Sequence, residues 1–252
     1  MIATYDSVRY ASLPGKNVLI TGGASGIGQE MVRAFASQGA RVAFIDIDEP
    51  RGVATAAETG AAFHPCDVTD IARLRAVIAE IEAASGAIRV LVNNAARDDR
   101  HAMAEVEPDY WRRTLALNLD HQFFATQAVT PLMTEAGGGA IIMFGSISWM
   151  RSQPNMVGYT TAKAAINGMT RTLARDLGPS NIRVNCIVPG AIATERQNML
   201  WRVPGSNERI LSNQSLKVLL DPTHVARVAL FLASDESAGC TGANFLVDAG
   251  LS

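Results

Sequence analysis

Tyr159 and Lys163 stand four residues apart, and Ser146 precedes them. On a helix, residues at i and i+4 share a face, offset by only about 40° around the axis, so the ammonium can sit beside the phenol. A free tyrosine ionises near pH ~10, and a neighbouring positive charge favours its phenolate. A phenol so assisted can move a proton, and a hydroxyl such as that of Ser146 can fix the oxygen that gives or takes it. Such a pair also arises by chance, so its context decides what it means.

The first half of the chain supplies that context. Thr21-Gly22-Gly23-Ala24-Ser25-Gly26-Ile27-Gly28 follows an apolar run and opens a helical pattern. Missing side chains let such a turn approach a pyrophosphate, and the helix start offers unpaired amides and a positive dipole end. Asp46 ends the next apolar run, eighteen residues past Gly28, where a carboxylate accepts from adenosine ribose hydroxyls and repels a 2′-phosphate. The expected cofactor is therefore NAD rather than NADP. Arg41 and Arg51 are the nearest cations, and neither is placed to receive such a phosphate. Asp67 is available to the adenine amino group and Val68 to the ring face, or the two belong to the N-cap region of the following helix. Asn93-Asn94-Ala95-Ala96 supplies small residues that let backbone lie against the cofactor.

These groups need a frame. Short β-rich runs at 17–21, 41–46, 61–66, 88–93, 140–144, 182–188 and 243–247 alternate with helical patterns, including 71–84, 109–134 and 157–177. The runs are almost wholly apolar, as strands covered on both faces are. The pattern predicts one α/β domain, a doubly wound Rossmann-type parallel sheet of about seven strands, with ligands outside the carboxyl ends of the strands. Residues 191–215 read as an irregular stretch, either a substrate-covering lid or a surface insertion.

Composition narrows the rest. The 252 residues suit a single large-cored domain, and a net charge of −2 from mixed charges argues against a nucleic-acid groove. Cys66, Cys186 and Cys240 show neither disulfide nor zinc spacing and read as small core residues in a reducing compartment. Without a leader pattern or a long apolar run, a cytoplasmic location with no membrane span is expected. His64, His101, His121 and His224 are scattered without partners at metal-ligand spacing, so no metal is expected.

Together, Thr21 to Gly28, Asn93 to Ala96, Asn118, Ser146, Tyr159, Lys163 and Pro189-Gly190 resemble the short-chain dehydrogenase/reductase family over essentially the whole chain. Asp98-Asp99-Arg100-His101, Gly145-Ser146-Ile147-Ser148-Trp149 and Val247-Asp248-Ala249-Gly250 resemble its bacterial sugar (xylose-type) 1-dehydrogenases. The resemblance implies Tyr159 as general acid/base, Lys163 as its electrostatic partner and ribose ligand, Ser146 as donor to the reacting oxygen, and Asn118 as holder of a water linking Lys163 to solvent. It implies cofactor contacts from Gly22, Ser25, Gly26, Ile27, Gly28, Asn94, Ala95, Pro189, Gly190, Ile192 and Thr194. It also implies a homotetramer or homodimer paired through its long helices. Ala96 and Ala249 depart from the pattern, each standing where glycine is common.

The expected reaction is oxidation of an aldose C1 hydroxyl to a lactone, with Tyr159 taking the proton and NAD the hydride. On the substrate side, Ser148 rivals Ser146 as donor, His101 either contacts sugar hydroxyls or belongs to a solvated loop, and Trp149 lies against a sugar face or in a core wall. The competing readings are a polyol or secondary-alcohol dehydrogenase, an NADPH-dependent ketone (oxoacyl) reductase, and a dinucleotide sensor without catalysis.

Overall fold

A computed structural model describes residue 5 and residues 7–252. Its seven strands are β1 (Asn17–Thr21), β2 (Arg41–Asp46), β3 (Ala62–Pro65), β4 (Val90–Asn93), β5 (Gly139–Phe144), β6 (Ile182–Pro189) and β7 (Asn244–Val247). All pair in parallel in the order β3-β2-β1-β4-β5-β6-β7. The chain winds outward in one direction from β1 to β3, then crosses back to β4 and winds in the other. That reversal opens a crevice at the carboxyl ends of β1 and β4, the place where such sheets bind ligands.

The helices are α1 (Gly26–Ser37), α2 (Glu49–Thr59), α3 (Ile71–Ser85), α4 (Pro108–Leu115), α5 (His121–Glu135), α6 (Val157–Leu177), α7 (Glu195–Leu200), α8 (Ser206–Asn213) and α9 (Pro222–Ala233). One core gathers Leu19, Leu91, Ile141 and Val184 with Leu74 and Ile78 of α3, Val129 of α5 and Ile166 of α6. The other gathers Ile20, Val92, Ile142 and Ile187 with Met31 and Phe35 of α1 and Val225 and Leu230 of α9. Successive strand residues point to opposite faces, so one apolar run feeds both cores. The edge strands β3 and β7 are partly exposed, unlike β1, β4 and β5.

One expectation about continuity is refined and another corrected. The pattern over 109–134 is helical throughout, but a π-turn at Ala116–Asp120 separates α4 from α5. The turn buries Asn118, whose Oδ1 accepts from the Arg97 amide at 3.0 Å while its Nδ2 donates to the Thr114 carbonyl at 3.0 Å. A single extra residue in a helical ladder redirects a side chain without breaking the apolar periodicity, and such turns concentrate at functional sites. Residues 191–215, expected to be irregular, carry α7 and α8; Thr194 caps α7 by accepting from the Gln197 amide at 3.2 Å.

Candidate active site

The crevice is a cleft of about 1270 Å³ running along the carboxyl ends of the strands. At one end β1 turns into α1. Gly22 takes a positive φ of 70°, and a Cβ there would meet the Ala95 Cα at 2.8 Å; at Gly28 it would meet the Gly22 carbonyl oxygen at 1.8 Å. The turn is therefore closed on the loop after β4, and Asn94 locks it by donating from Nδ2 to the Thr21 and Gly22 carbonyls at 3.0 Å.

The start of α1 is left open. Asp48 accepts from the Arg51 amide, Asp70 from Arg73 and Asp221 from Thr223, so α2, α3 and α9 are capped by their own carboxylates. Ser25, at the same position before α1, makes no such bond, and no acid lies in the first turn. Unpaired amides and a positive dipole end in a glycine-lined cradle fit a dinucleotide pyrophosphate. Ser25, Gly26 and Ile27 line the cleft, as do Asp67 and Val68.

Asp46 stands at the end of β2 in the same wall. Its Oδ2 accepts from the Ala24 amide at 2.9 Å and its Oδ1 from the Asp48 amide at 3.0 Å. The carboxylate thus braces the glycine turn, and each oxygen keeps a lone pair for a ribose hydroxyl. Arg51 is committed to Asp48 and Glu195, and Arg41 to the Gly15 carbonyl. Asp67 accepts from both the amide and the hydroxyl of Thr69, while the cap of α3 is Asp70, so Asp67 forms a local turn rather than the helix cap.

The proton-moving residues occupy the middle of the cleft. Ser146 follows β5, and Tyr159 and Lys163 lie on α6, all three in the lining. The Ser146 oxygen accepts from the Ser148 amide at 3.2 Å, and its hydroxyl is close enough to Tyr159 to favour the phenolate. Lys163 is only 1 % exposed; its Nζ lies 5.6 Å from the Tyr159 ring centroid and donates to the Phe144 carbonyl at 2.8 Å. The expected lowering of the phenol pKa is not a property of the protein alone. Burial pushes Tyr159 up to about 12, against the pull of Ser146, with Asp98 raising it further and Arg100 opposing. Burial likewise holds Lys163 down to about 8. A dry site disfavours every charged form, so the protein alone holds the phenol neutral.

Behind Lys163, His121 is fully buried, with Nε2 2.9 Å from the Ala95 carbonyl. Burial and the nearby ammonium lower its pKa to about 3. It is neutral at physiological pH, and since Nε2 faces a carbonyl, that nitrogen carries the proton.

Pro189, Gly190, Ile192 and Thr194 complete the wall after β6, together with the expected Ala95 and Ser148. Asn118 sits behind this wall, turned toward the Arg97 amide. His101 and Trp149 are not brought to the cleft. His101 packs edge-on to Tyr110, its Nδ1 2.9 Å from that hydroxyl. Trp149, 39 % exposed, shares an outer hollow with Thr160 and Thr161 and does not form a core wall. Of the three cysteines, Cys66 and Cys186 are buried as expected, whereas Cys240 is partly exposed.

Sequence reasoning missed how α7 is held over the cleft. Arg196 donates from Nη2 to Asp99 at 2.8 Å, and Gln197 from Nε2 to Asp98 at 2.7 Å. On the opposite side Glu195 meets Arg51 at 3.3 Å. These pairings join segments about 100 to 140 residues apart, and no local signal carries them.

Among the described residues, no group of three or more His, Cys, Asp or Glu is gathered to hold a metal ion, and no helix is long and apolar enough to cross a membrane.

A family model described as enoyl-(acyl carrier protein) reductase matches residues 22–252. The chain is 48 % identical to a D-xylose 1-dehydrogenase of Caulobacter vibrioides (strain NA1000 / CB15N), over 97 % of this chain and 98 % of the relative. It is 46 % identical to a probable galactose dehydrogenase of Rhizobium meliloti (strain 1021), over 98 % and 99 %. Its fold matches the crystal structure of a 3-oxoacyl-[acyl-carrier protein] reductase from Brucella melitensis ATCC 23457 with a TM-score of 0.89 and 35 % identity, covering 99 % of this chain and 96 % of that one.

Proposed function

The chain belongs to the short-chain dehydrogenase/reductase family of oxidoreductases, whose cofactor is a nicotinamide dinucleotide, and on that footing we propose that it oxidises the anomeric hydroxyl of an aldose to a lactone with NAD. The observation that carries the reading is the gathering of Ser146, Tyr159 and buried Lys163, whose Nζ lies 5.6 Å from the Tyr159 ring centroid, in a cleft whose other end carries Asp46.

The residues divide the work. Ser146 holds the substrate oxygen, and Tyr159 takes its proton. Lys163, fixed by the Phe144 carbonyl, lends positive charge to the phenolate and donates to ribose hydroxyls. The open start of α1 receives the pyrophosphate, Asp46 the adenosine ribose, and Asp67 and Val68 the adenine. Pro189, Gly190, Ile192 and Thr194 flank the remaining part of the cofactor, and Asn118 holds a water on the solvent side of Lys163. NAD, when bound, would accept the hydride from the carbon whose hydroxyl gives up that proton. Helix α7 covers the cleft and sheds water from it. We read the 252 residues as one catalytic domain acting in the cytoplasm. The exposed Phe123 and Leu132 of α5 and Val157 of α6 support pairing into a homodimer or homotetramer.

The sugar assignment leans on the two dehydrogenase relatives. The reductase names of the family model and of the Brucella structure favour a second reading, reduction of an oxoacyl ketone with NADPH; the carboxylate of Asp46 argues against the extra phosphate. NADH formation across aldoses, polyols and secondary alcohols, with an NADP control, together with NADPH consumption on ketones, separates the two. Selective turnover of aldoses with NAD supports the proposal, and activity confined to polyols or to ketones with NADPH removes it.

A further inference from the structure

Asp98 follows β4 at the substrate end of the cleft, in the lining beside Arg100, Ser146 and Tyr159. Its side chain is only 15 % exposed, and its charge reaches Tyr159, where it works against the phenolate. A carboxylate close to a catalytic phenol hinders the proton removal that the phenol performs, so its presence calls for a compensating task.

Holding α7 in place accounts for only part of it. Gln197 occupies Oδ2 at 2.7 Å, while Oδ1 has only the Arg196 Nε at 3.5 Å, a long contact for a charged pair. Arg196 makes its shorter bond, 2.8 Å, to Asp99. The Asp98 carboxylate therefore keeps unused acceptor capacity facing the cleft, although two donors have already desolvated and oriented it.

Unused donors lie in the same lining. Arg100 Nε and Ser148 Oγ are buried without a hydrogen-bond partner. The Arg100 guanidinium lies 5.0 Å over the ring of Trp201, at the end of α7, which keeps it in place. A simple secondary alcohol has one hydroxyl, already taken by Ser146 and Tyr159. A polyhydroxyl ligand has further groups that both donate and accept, and an orphaned acceptor beside orphaned donors is complementary to them.

We infer that Asp98 is a specificity-determining residue that accepts a hydrogen bond from a sugar hydroxyl other than the one that reacts, with Arg100 and Ser148 as donors around it. This rests on the aldose reading above and extends it from a substrate class to a recognised group. A site that hydrogen-bonds a substrate hydroxyl rejects the analogue lacking it, because the buried partner is then left unpaired. Arg196 and Gln197 set the carboxylate's orientation, so the seating of α7 and the reading of the sugar share the same contacts.

The test is kcat/KM of the wild type, Asp98→Ala and Asp98→Asn on the best aldose substrate and on its single-deoxy analogues at positions other than C1, at saturating NAD. Asp98→Asn preserves shape and an acceptor for Gln197, so it guards against a folding defect in the alanine variant. Both substitutions are expected to lower kcat/KM on the parent sugar by about 10–100-fold, the loss of one charged hydrogen bond. On one deoxy analogue the variants and wild type should then agree within about 3-fold, with KM for NAD unchanged throughout. An equal loss on the parent sugar and every deoxy analogue would show that Asp98 only anchors α7, and would overturn the inference while leaving the aldose reading intact. Failure of the wild type to turn over any aldose would remove both.

Discussion

The Lys163 ammonium donates to the Phe144 carbonyl at 2.8 Å, so the charge beside Tyr159 is held by the last residue of β5 and not by the phenol. The charge is positioned before any substrate arrives, and the protein bears the cost of burying it. That arrangement links catalysis to stability.

Lys163→Met should lose turnover yet raise stability. The Lys163 pKa is held down to about 8, so at pH 7 the residue is still charged and its burial is unfavourable. Removing the charge, less the lost bond to Phe144, is expected to stabilise the fold by about 1–2 kcal/mol. In the wild type the penalty is relieved as pH rises from about 8 toward the ordinary lysine value of 10.5, so stability should climb across that window and stay flat in the variant. Denaturant melts at pH 7 and pH 10 read both effects; a variant less stable than wild type at pH 7 contradicts the account.

His121 should make the protein sensitive to mild acid. Its pKa is near 3 in the fold against 6.5 unfolded, so below pH 6.5 the unfolded chain takes up a proton that the folded one refuses. Stability contributed by this group is present above pH 6.5 and declines on acidification, by about 2 kcal/mol between pH 7 and pH 5. His121→Gln keeps a donor for the Ala95 carbonyl and should reduce that slope by the same amount in urea titrations at the two pH values. An unchanged slope would show that His121 does not titrate in this way.

Asp46 should decide the cofactor. Replacing it with Ala removes the ribose acceptor and the repulsion of a 2′-phosphate, and unties the Ala24 amide. We expect kcat/KM for NAD to fall about 10-fold and the NAD to NADP preference to shrink by more, because NADP should gain. Paired steady-state measurements with both cofactors test this; an unaltered ratio would place discrimination elsewhere.

Much of this architecture was legible in the residues. β1, β2 and α6 begin and end where expected, because long apolar runs bounded by glycine or polar residues leave little choice. The cradle was legible too, since Gly22 and Gly28 occupy positions where a Cβ has no room. The π-turn at Ala116–Asp120 was not, because the single extra residue it inserts leaves apolar periodicity intact on both sides. Nor were α7 and α8: both are short and polar, and α7 is held by contacts to Asp98, Asp99 and Arg51 that no local pattern encodes. The orientations of Trp149 and His101 were not legible for a related reason. Proximity in sequence to Ser146 and to the β4 end does not fix which way a loop side chain turns, and here one faces outward and the other meets Tyr110. The raised pKa of Tyr159 likewise depended on burial, which spacing does not report.

The most direct test of the central claim is NADH formation from NAD and an aldose substrate by the wild type and by Tyr159→Phe, with NAD binding measured on both. The account predicts turnover by the wild type, loss of at least about 10³-fold in kcat for the variant, and similar NAD affinity, since only the proton acceptor is removed. Retained turnover by Tyr159→Phe, or a wild type that reduces NAD with no aldose, would contradict it.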